Sequence, residues 1–116
     1  MIFNKTKQKI LAKKSQIYTD PFNKALGLMF SSQKKIKNKA IVFEFKKEQI
    51  VALHMLFVFY PIDVLFLDKN KKVVETTTLK PFCLCYVPQK KAKYVIECEN
   101  GSIAKTKTKA GDIIRL

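Results

Sequence analysis

Apolar and polar residues alternate with a period near two along much of this chain, which is the spacing of strands that show different faces to different surroundings. In AIVFEFKKE, residues 40–48, Ile41, Phe43 and Phe45 point one way while Val42 and Glu44 point the other, so a strand with one buried face is expected. IDVLFLDKNKKVVETTT follows a hairpin pattern: two β-rich runs are joined by Asp68-Lys69-Asn70-Lys71, whose Asp and Asn favour turns. FCLCYV and AKYVIEC predict two further strands, separated by Pro88 and a lysine cluster. Two short apolar pulses at residues 1–3 and 10–12, with a polar stretch between them, predict another hairpin. Asn100-Gly101 makes a tight turn, and Gly111-Asp112 leads into a last strand, IIRL. One helix of about two turns is expected near residues 20–27. There Thr19 or Asp20 caps the start, Pro21 suits the first helical position, and Gly27 ends it. The fold class is therefore α+β and mostly β: a small antiparallel, partly closed barrel-like sheet with one short helix, in a single domain over residues 1–116.

The longest apolar run, VALHMLFVFYPIDVLFLD at residues 51–68, approaches the length of a membrane span. His54 and Asp63 interrupt it, Pro61 breaks a helix, and Phe, Val, Ile and Tyr dominate as they do in strands. An aspartate near the centre of a span costs about 2.5 to 3.5 kcal/mol even on insertion scales. The run is read as two core strands meeting at Tyr60-Pro61, with no membrane span.

Composition changes the picture in one respect. The net charge is +14, from 23 Lys plus Arg against 9 Asp plus Glu, yet Arg115 is the only arginine. Lysine supplies point charge without the planar fork that reads guanine edges or clamps a phosphate, so a solvated basic surface is the preferred reading of the charge and a nucleic-acid interface the alternative. The lysine groups at 34–39, 69–72, 90–93 and 105–109 are expected in turns or loops, with Lys34, Lys35, Lys71, Lys72, Lys90, Lys91 and Lys93 as polyanion contacts if they converge. Three cysteines, and no charged segment leading into an apolar one at the start, point to free thiols in the cytoplasm.

An ordered set of segments resembles the family called domain of unknown function 192, in its archaeal branch. They are Gly27-Leu28-Met29-Phe30, His54-Met55, Pro61-Ile62-Asp63-Val64-Leu65-Phe66-Leu67-Asp68, Lys72-Val73-Val74-Glu75 and Lys80-Pro81-Phe82. Ala92-Lys93-Tyr94-Val95-Ile96-Glu97 with Gly101, and Gly111-Asp112, complete it. The resemblance implies a small β-rich domain with little helix and no established activity. Bacterial members carry Trp-Met-Lys-Asn-Thr, and an arginine after Gly-Leu-Met-Phe. Here Leu53-His54-Met55-Leu56-Phe57 and Ser31 stand instead, so a site built on those polar groups is not expected.

Chemistry-bearing residues are few. His54, the only histidine, and Asp63, a carboxylate inside an apolar run, are weak candidates for an acid and base. Asp63 must meet an amide, a hydroxyl or a lysine if buried, and anchoring a turn or neighbouring strand is its bland alternative. Met29, His54, Met55, Asp63 and Lys80 are grouped as a ligand groove. Cys83 and Cys85 are separated by one residue where zinc sites prefer two, so no metal is assigned and no cofactor is implied. No phosphate loop, nucleophile elbow or zinc-protease motif occurs. The leading expectation is a small ligand-binding or accessory module without catalysis, monomeric or weakly self-associating, with an unidentified small molecule or protein as partner. A basic protein contacting nucleic acid or another polyanion is the alternative, and an enzyme using Asp63 and His54 the third.

Overall fold

The computed structural model describes residues 1–19, 36–53, 58–82 and 85–116. The helix expected near residues 20–27 lies outside them, as do Met29, Lys34, Lys35, His54, Met55 and Cys83.

Eight strands are described: β1 (Ile2–Asn4), β2 (Lys9–Ala12), β3 (Lys14–Tyr18), β4 (Lys39–Gln49), β5 (Ile62–Leu67), β6 (Val73–Leu79), β7 (Ala92–Glu99) and β8 (Ile114–Arg115), with a short helix α1 (Ser102–Thr106) between the last two. They form a five-stranded sheet in the order β3-β4-β7-β5-β6 and a three-stranded sheet in the order β2-β1-β8. The mostly β, α+β class stands, but the described strands make two open sheets and do not close into a barrel. Pairing is antiparallel except between β3 and β4, which run parallel with Lys14 opposite Lys39 and Tyr18 opposite Phe43.

The period-two pattern explains the core. On the five-stranded sheet, Ile41, Phe43, Ile62, Val64, Phe66 and Val95 share one apolar cluster with Ile36, Val58 and Tyr60. Their strand neighbours Ala40, Val42, Leu65, Leu67, Ile96 and Cys98 belong to a second cluster, completed by Ile2, Leu11, Ala12 and Ile114 of the small sheet. The small sheet thus packs on one face, and the large sheet buries both of its faces at its centre. Strand β4 accordingly departs from the single buried face expected, because Ala40 and Val42 meet the small sheet while Ile41 and Phe43 serve the other cluster. A fully buried Leu, Ile or Phe contributes about 1.5–3 kcal/mol, and β5 is buried along its whole length.

Turn chemistry holds where it was legible. In the β5–β6 turn, Asp68 Oδ1 accepts hydrogen bonds from Asn70 N at 2.9 Å and Lys72 N at 3.0 Å. Three expectations are corrected. FCLCYV supplies no strand among the described residues, only a bridge from Tyr86 to Leu53. The first half of the apolar run lies largely outside the described residues, and its described part gives Leu53 to that bridge. Asn100-Gly101 does not join two strands but opens α1, with Gly101 at φ 97°, a backbone conformation that favours glycine. The lysines are not all in loops either, since Lys93 lies in β7 and Lys105 in α1. No helix among the described residues is long and apolar enough to cross a membrane.

A buried polar set fastens the end of the chain to its beginning. Asn4 Nδ2 donates to Thr108 Oγ1 and to Asp112 Oδ2, both at 2.9 Å, and Lys7 Nζ lies 3.0 Å from the same carboxylate. Burial pushes the Asp112 acid up, but the hydrogen bonds from Asn4 and Lys7 outweigh it and hold Asp112 below its ordinary value.

Candidate functional site

Two carboxylates lie inside the five-stranded sheet, on opposite faces, and they differ in what surrounds them. Asp63 on β5 is 2% exposed. It stands opposite Cys98 on β7 and Thr78 on β6, on the face of the small sheet. Its Oδ1 accepts from Thr78 Oγ1 at 2.9 Å, and its Oδ2 accepts from the backbone amides of Gly101 at 3.1 Å and Ile103 at 2.9 Å. Both oxygens are therefore engaged by protein donors. The amides at the start of α1, which a helix of one turn leaves unpaired, find their acceptor in a strand about 40 residues earlier. This arrangement holds a helix in place, and it commits both carboxylate oxygens of Asp63 to donors of the fold.

Glu97 on β7 is the contrasting case. Strand alternation puts it on the same side as Val95, facing the first apolar cluster, with Ile41 of β4 and Val64 of β5 as its cross-strand neighbours. It is 8% exposed as a residue; no donor or cation meets its carboxylate among the described residues, and since no fully buried side-chain oxygen there lacks a hydrogen-bond partner, the carboxylate oxygens keep part of that remaining exposure. Burial alone pushes its acid up to about 7 from an ordinary 4.5. A carboxylate in apolar surroundings is costly to desolvate, so Glu97 stands out as a mostly buried acid that meets solvent at its oxygens and no protein donor among the described residues.

Other polar groups on the sheet are committed. Glu75 on β6 accepts a hydrogen bond from Tyr86 Oη, and its Oε1 accepts from Gln89 N at 2.9 Å and Lys90 N at 3.3 Å. This ties the segment before β7 across the sheet edge. The hydrogen bond to Glu75, followed by burial, raises the Tyr86 hydroxyl above its ordinary value. Cys98 is buried and its thiol is pushed up to about 12, first by burial and then by the charge of Asp63, which makes it a packing group rather than a nucleophile. Cys85 is free and exposed. No cluster of three or more metal-ligating side chains occurs among the described residues.

A separate groove of about 360 Å³ runs between β2 and α1, with Leu11, Lys13, Asn38, Glu99, Ser102 and Lys105 in its walls. It depends on Asp63, which holds the α1 wall. Glu97 does not line it.

The predicted site residues are thus dispersed. Asp63 faces away from Glu97, and Lys80 is exposed just beyond β6. Lys71 and Lys93 are brought together, with their Nζ atoms 5.9 and 5.3 Å from the centre of the Tyr94 ring, and Lys93 also lies 3.7 Å from Glu44. Lys90 and Lys91 sit in the segment held by Glu75, and Lys72 bridges to Ile113. Glu97 is not among the residues singled out from sequence. Its signal was a charged residue at the inward parity of Val95, between the apolar residues Ile96 and Cys98.

Comparison with known proteins supports the same architecture. The chain is 36% identical over 117 residues to a UPF0127 protein of Pyrococcus horikoshii, covering 99% of this chain and 97% of that relative. A solved structure from Sinorhizobium meliloti, named as a candidate transcription regulator, superposes with TM-score 0.80 at 20% identity over 87% of this chain and 79% of that one. One from Novosphingobium aromaticivorans, of unknown function, gives 0.80 at 19% identity over 88% and 74% of the two chains. At such identities these two structures speak to the fold. The profile of domain of unknown function 192, described as "Uncharacterized ACR", matches residues 2–116. The chain belongs to that family.

Proposed function

We propose that this protein is a small-ligand-binding module, acting without catalysis, whose ligand is held at the Glu97 face of the five-stranded sheet. One observation carries the reading. Glu97 is a residue only 8% exposed, between Ile41 and Val64, whose carboxylate meets no donor among the described residues. Desolvating such a group is costly, and proteins retain that cost chiefly where the group meets a ligand. Apolar walls with one oriented polar group match the usual make-up of a small-molecule site. The ligand chemistry follows: an apolar body bearing a hydrogen-bond donor or a cationic nitrogen. Asp63 enters as a positioning group for α1, and Lys80 as an exposed residue without a role at this face.

A thermal-shift screen with amines, amides and sugars tests the reading. A ligand present at about 100 times its dissociation constant stabilises by about 2.7 kcal/mol, a readily measured rise in melting temperature. The rise is expected in the native chain and not in Glu97→Gln at the same pH. Compounds that stabilise both chains equally would remove Glu97 from the site.

Contact with a polyanion is the second reading, favoured by the convergence of Lys71 and Lys93 on Tyr94. In a gel shift with single-stranded RNA, removing both lysines is expected to reduce the slope of log affinity against log salt by about 1.4, given about 0.7 per phosphate contact on single strands. An unchanged slope would rule out this pair as the contact.

A further inference from the structure

We infer that the outer face of the three-stranded sheet is a platform for single-stranded nucleic acid, built on Phe3 and Arg115 and bordered by Lys5 and Lys72. It is separate from the Glu97 face and from the pair Lys71 and Lys93 at Tyr94.

Strand register places these residues. Ile2, Ala12 and Ile114 of the small sheet are buried in the second apolar cluster, so alternation turns Phe3 and Arg115 outward. Phe3 pairs with Ile10 of β2 on one side and with Arg115 of β8 on the other. Ile10 is 48% exposed, Arg115 is exposed and Phe3 is half-buried. Two residues along the strands, about 7 Å away, Lys5 lies opposite Ile113, and its amide donates to Ile113 O at 2.8 Å. On its far side Ile113 is bridged to Lys72. Both lysines are exposed. The face therefore holds two rows across the strands, Ile10-Phe3-Arg115 and Lys5-Ile113-Lys72: three apolar groups, three cations and no carboxylate.

The occupant is argued from that make-up. The solvated face of an antiparallel sheet is ordinarily polar, and apolar groups among unopposed cations fit a partner that is both anionic and flat-faced. Arg115 is the only arginine of the chain, and its guanidinium carbon lies 4.9 Å from the centre of the Phe3 ring. No carboxylate pairs with Arg115, Lys5 or Lys72 among the described residues. Guanidinium planes and aromatic rings both stack on nucleobases, while lysine point charge suffices for phosphates. Bases free to stack on a protein are unpaired, so the strand is single. An acidic peptide would meet the cations but has no use for the stacked pair.

Fluorescence anisotropy with a labelled single-stranded RNA of about 12 nucleotides tests the inference. The native chain is expected to bind at about 0.05 M salt, with log affinity falling by about 2 per tenfold rise in salt, from three contacts at about 0.7 each. Lys5→Ala with Lys72→Ala should lower that slope by about 1.4. Its circular dichroism should not change, because both side chains are exposed. Arg115→Lys keeps the charge and removes the plane, so affinity should fall about fivefold with the slope retained. Phe3→Leu keeps apolar bulk without the ring and should bind about tenfold more weakly. No binding at low salt, the native slope in the double lysine variant, or native affinity in Arg115→Lys or in a folded Phe3→Leu would each overturn the inference. Binding that depends on Lys71 and Lys93 but not on Lys5 and Lys72 would overturn it in favour of the contact at Tyr94. Equal affinity for polyglutamate, which has charge but no bases, would overturn it as well.

Discussion

Asp63→Ala is expected to lower the unfolding free energy by about 4 kcal/mol, because it removes a buried acceptor that serves one hydroxyl and two backbone amides at once. For a domain of this size that corresponds to a fall in melting temperature of roughly 15 °C. Asp63→Asn keeps one oxygen but turns an amide group toward donors, so about 2 kcal/mol is expected. Urea denaturation followed by circular dichroism measures both. The loss should be local before it is global: amide exchange at Ile103 should accelerate in Asp63→Asn more than exchange in the centre of β7. A variant as stable as the native chain would mean that the carboxylate does not secure α1.

The second large effect concerns Glu97 and has the opposite sign. Its folded-state acid is raised from 4.5 to about 7 by burial, so the folded chain holds a proton that the unfolded chain releases. Below about pH 4.5 both states are protonated and the group costs nothing. As pH rises toward 7, the unfolded state ionises more readily than the folded one, and stability falls. Above 7 the loss is complete, on the order of 3 kcal/mol. Glu97→Gln should therefore match the native chain near pH 4.5, exceed it in stability by that amount at pH 8, and flatten the profile between. Asp112 works in a lower window and in the other direction, since its folded-state acid is depressed and its contribution is lost as pH falls through that value. Denaturation midpoints from pH 4.5 to 8 measure the difference, and parallel profiles for the two chains would contradict it.

What could be read from sequence was whatever depends on nearest neighbours. The β5–β6 hairpin and the β1–β2 hairpin follow from short apolar runs and from the turn residues between them. Strand β3, KSQIY, carries no alternation that marks it, because it is an edge strand whose buried contacts come from the parallel register with β4. Helix α1 has five residues, too few for helical periodicity to show. It forms because Asp63 reaches it across the sheet, a contact invisible to any local window.

The two carboxylates show the same division. A charged residue within an apolar run drew attention to Asp63, whose partners the fold then supplied. The same signal at Glu97 is weaker in sequence, because Lys93 and Glu99 flank its strand and make a charged residue there unremarkable. What separates them is the set of donors each one meets: three for Asp63, and none for Glu97 among the described residues. That difference arises from pairing between strands β5, β6 and β7 and the start of α1, so it belongs to the tertiary structure.

The most direct measurement is an NMR titration of the Glu97 side-chain carboxyl carbon in the ligand-free chain, with Glu97→Gln used to assign the resonance. A midpoint near 7 is predicted for a carboxylate desolvated and without a compensating partner. A midpoint near the ordinary 4.5 would show that the charge is already satisfied within the fold, and it would contradict the account of Glu97 as the group that awaits a ligand.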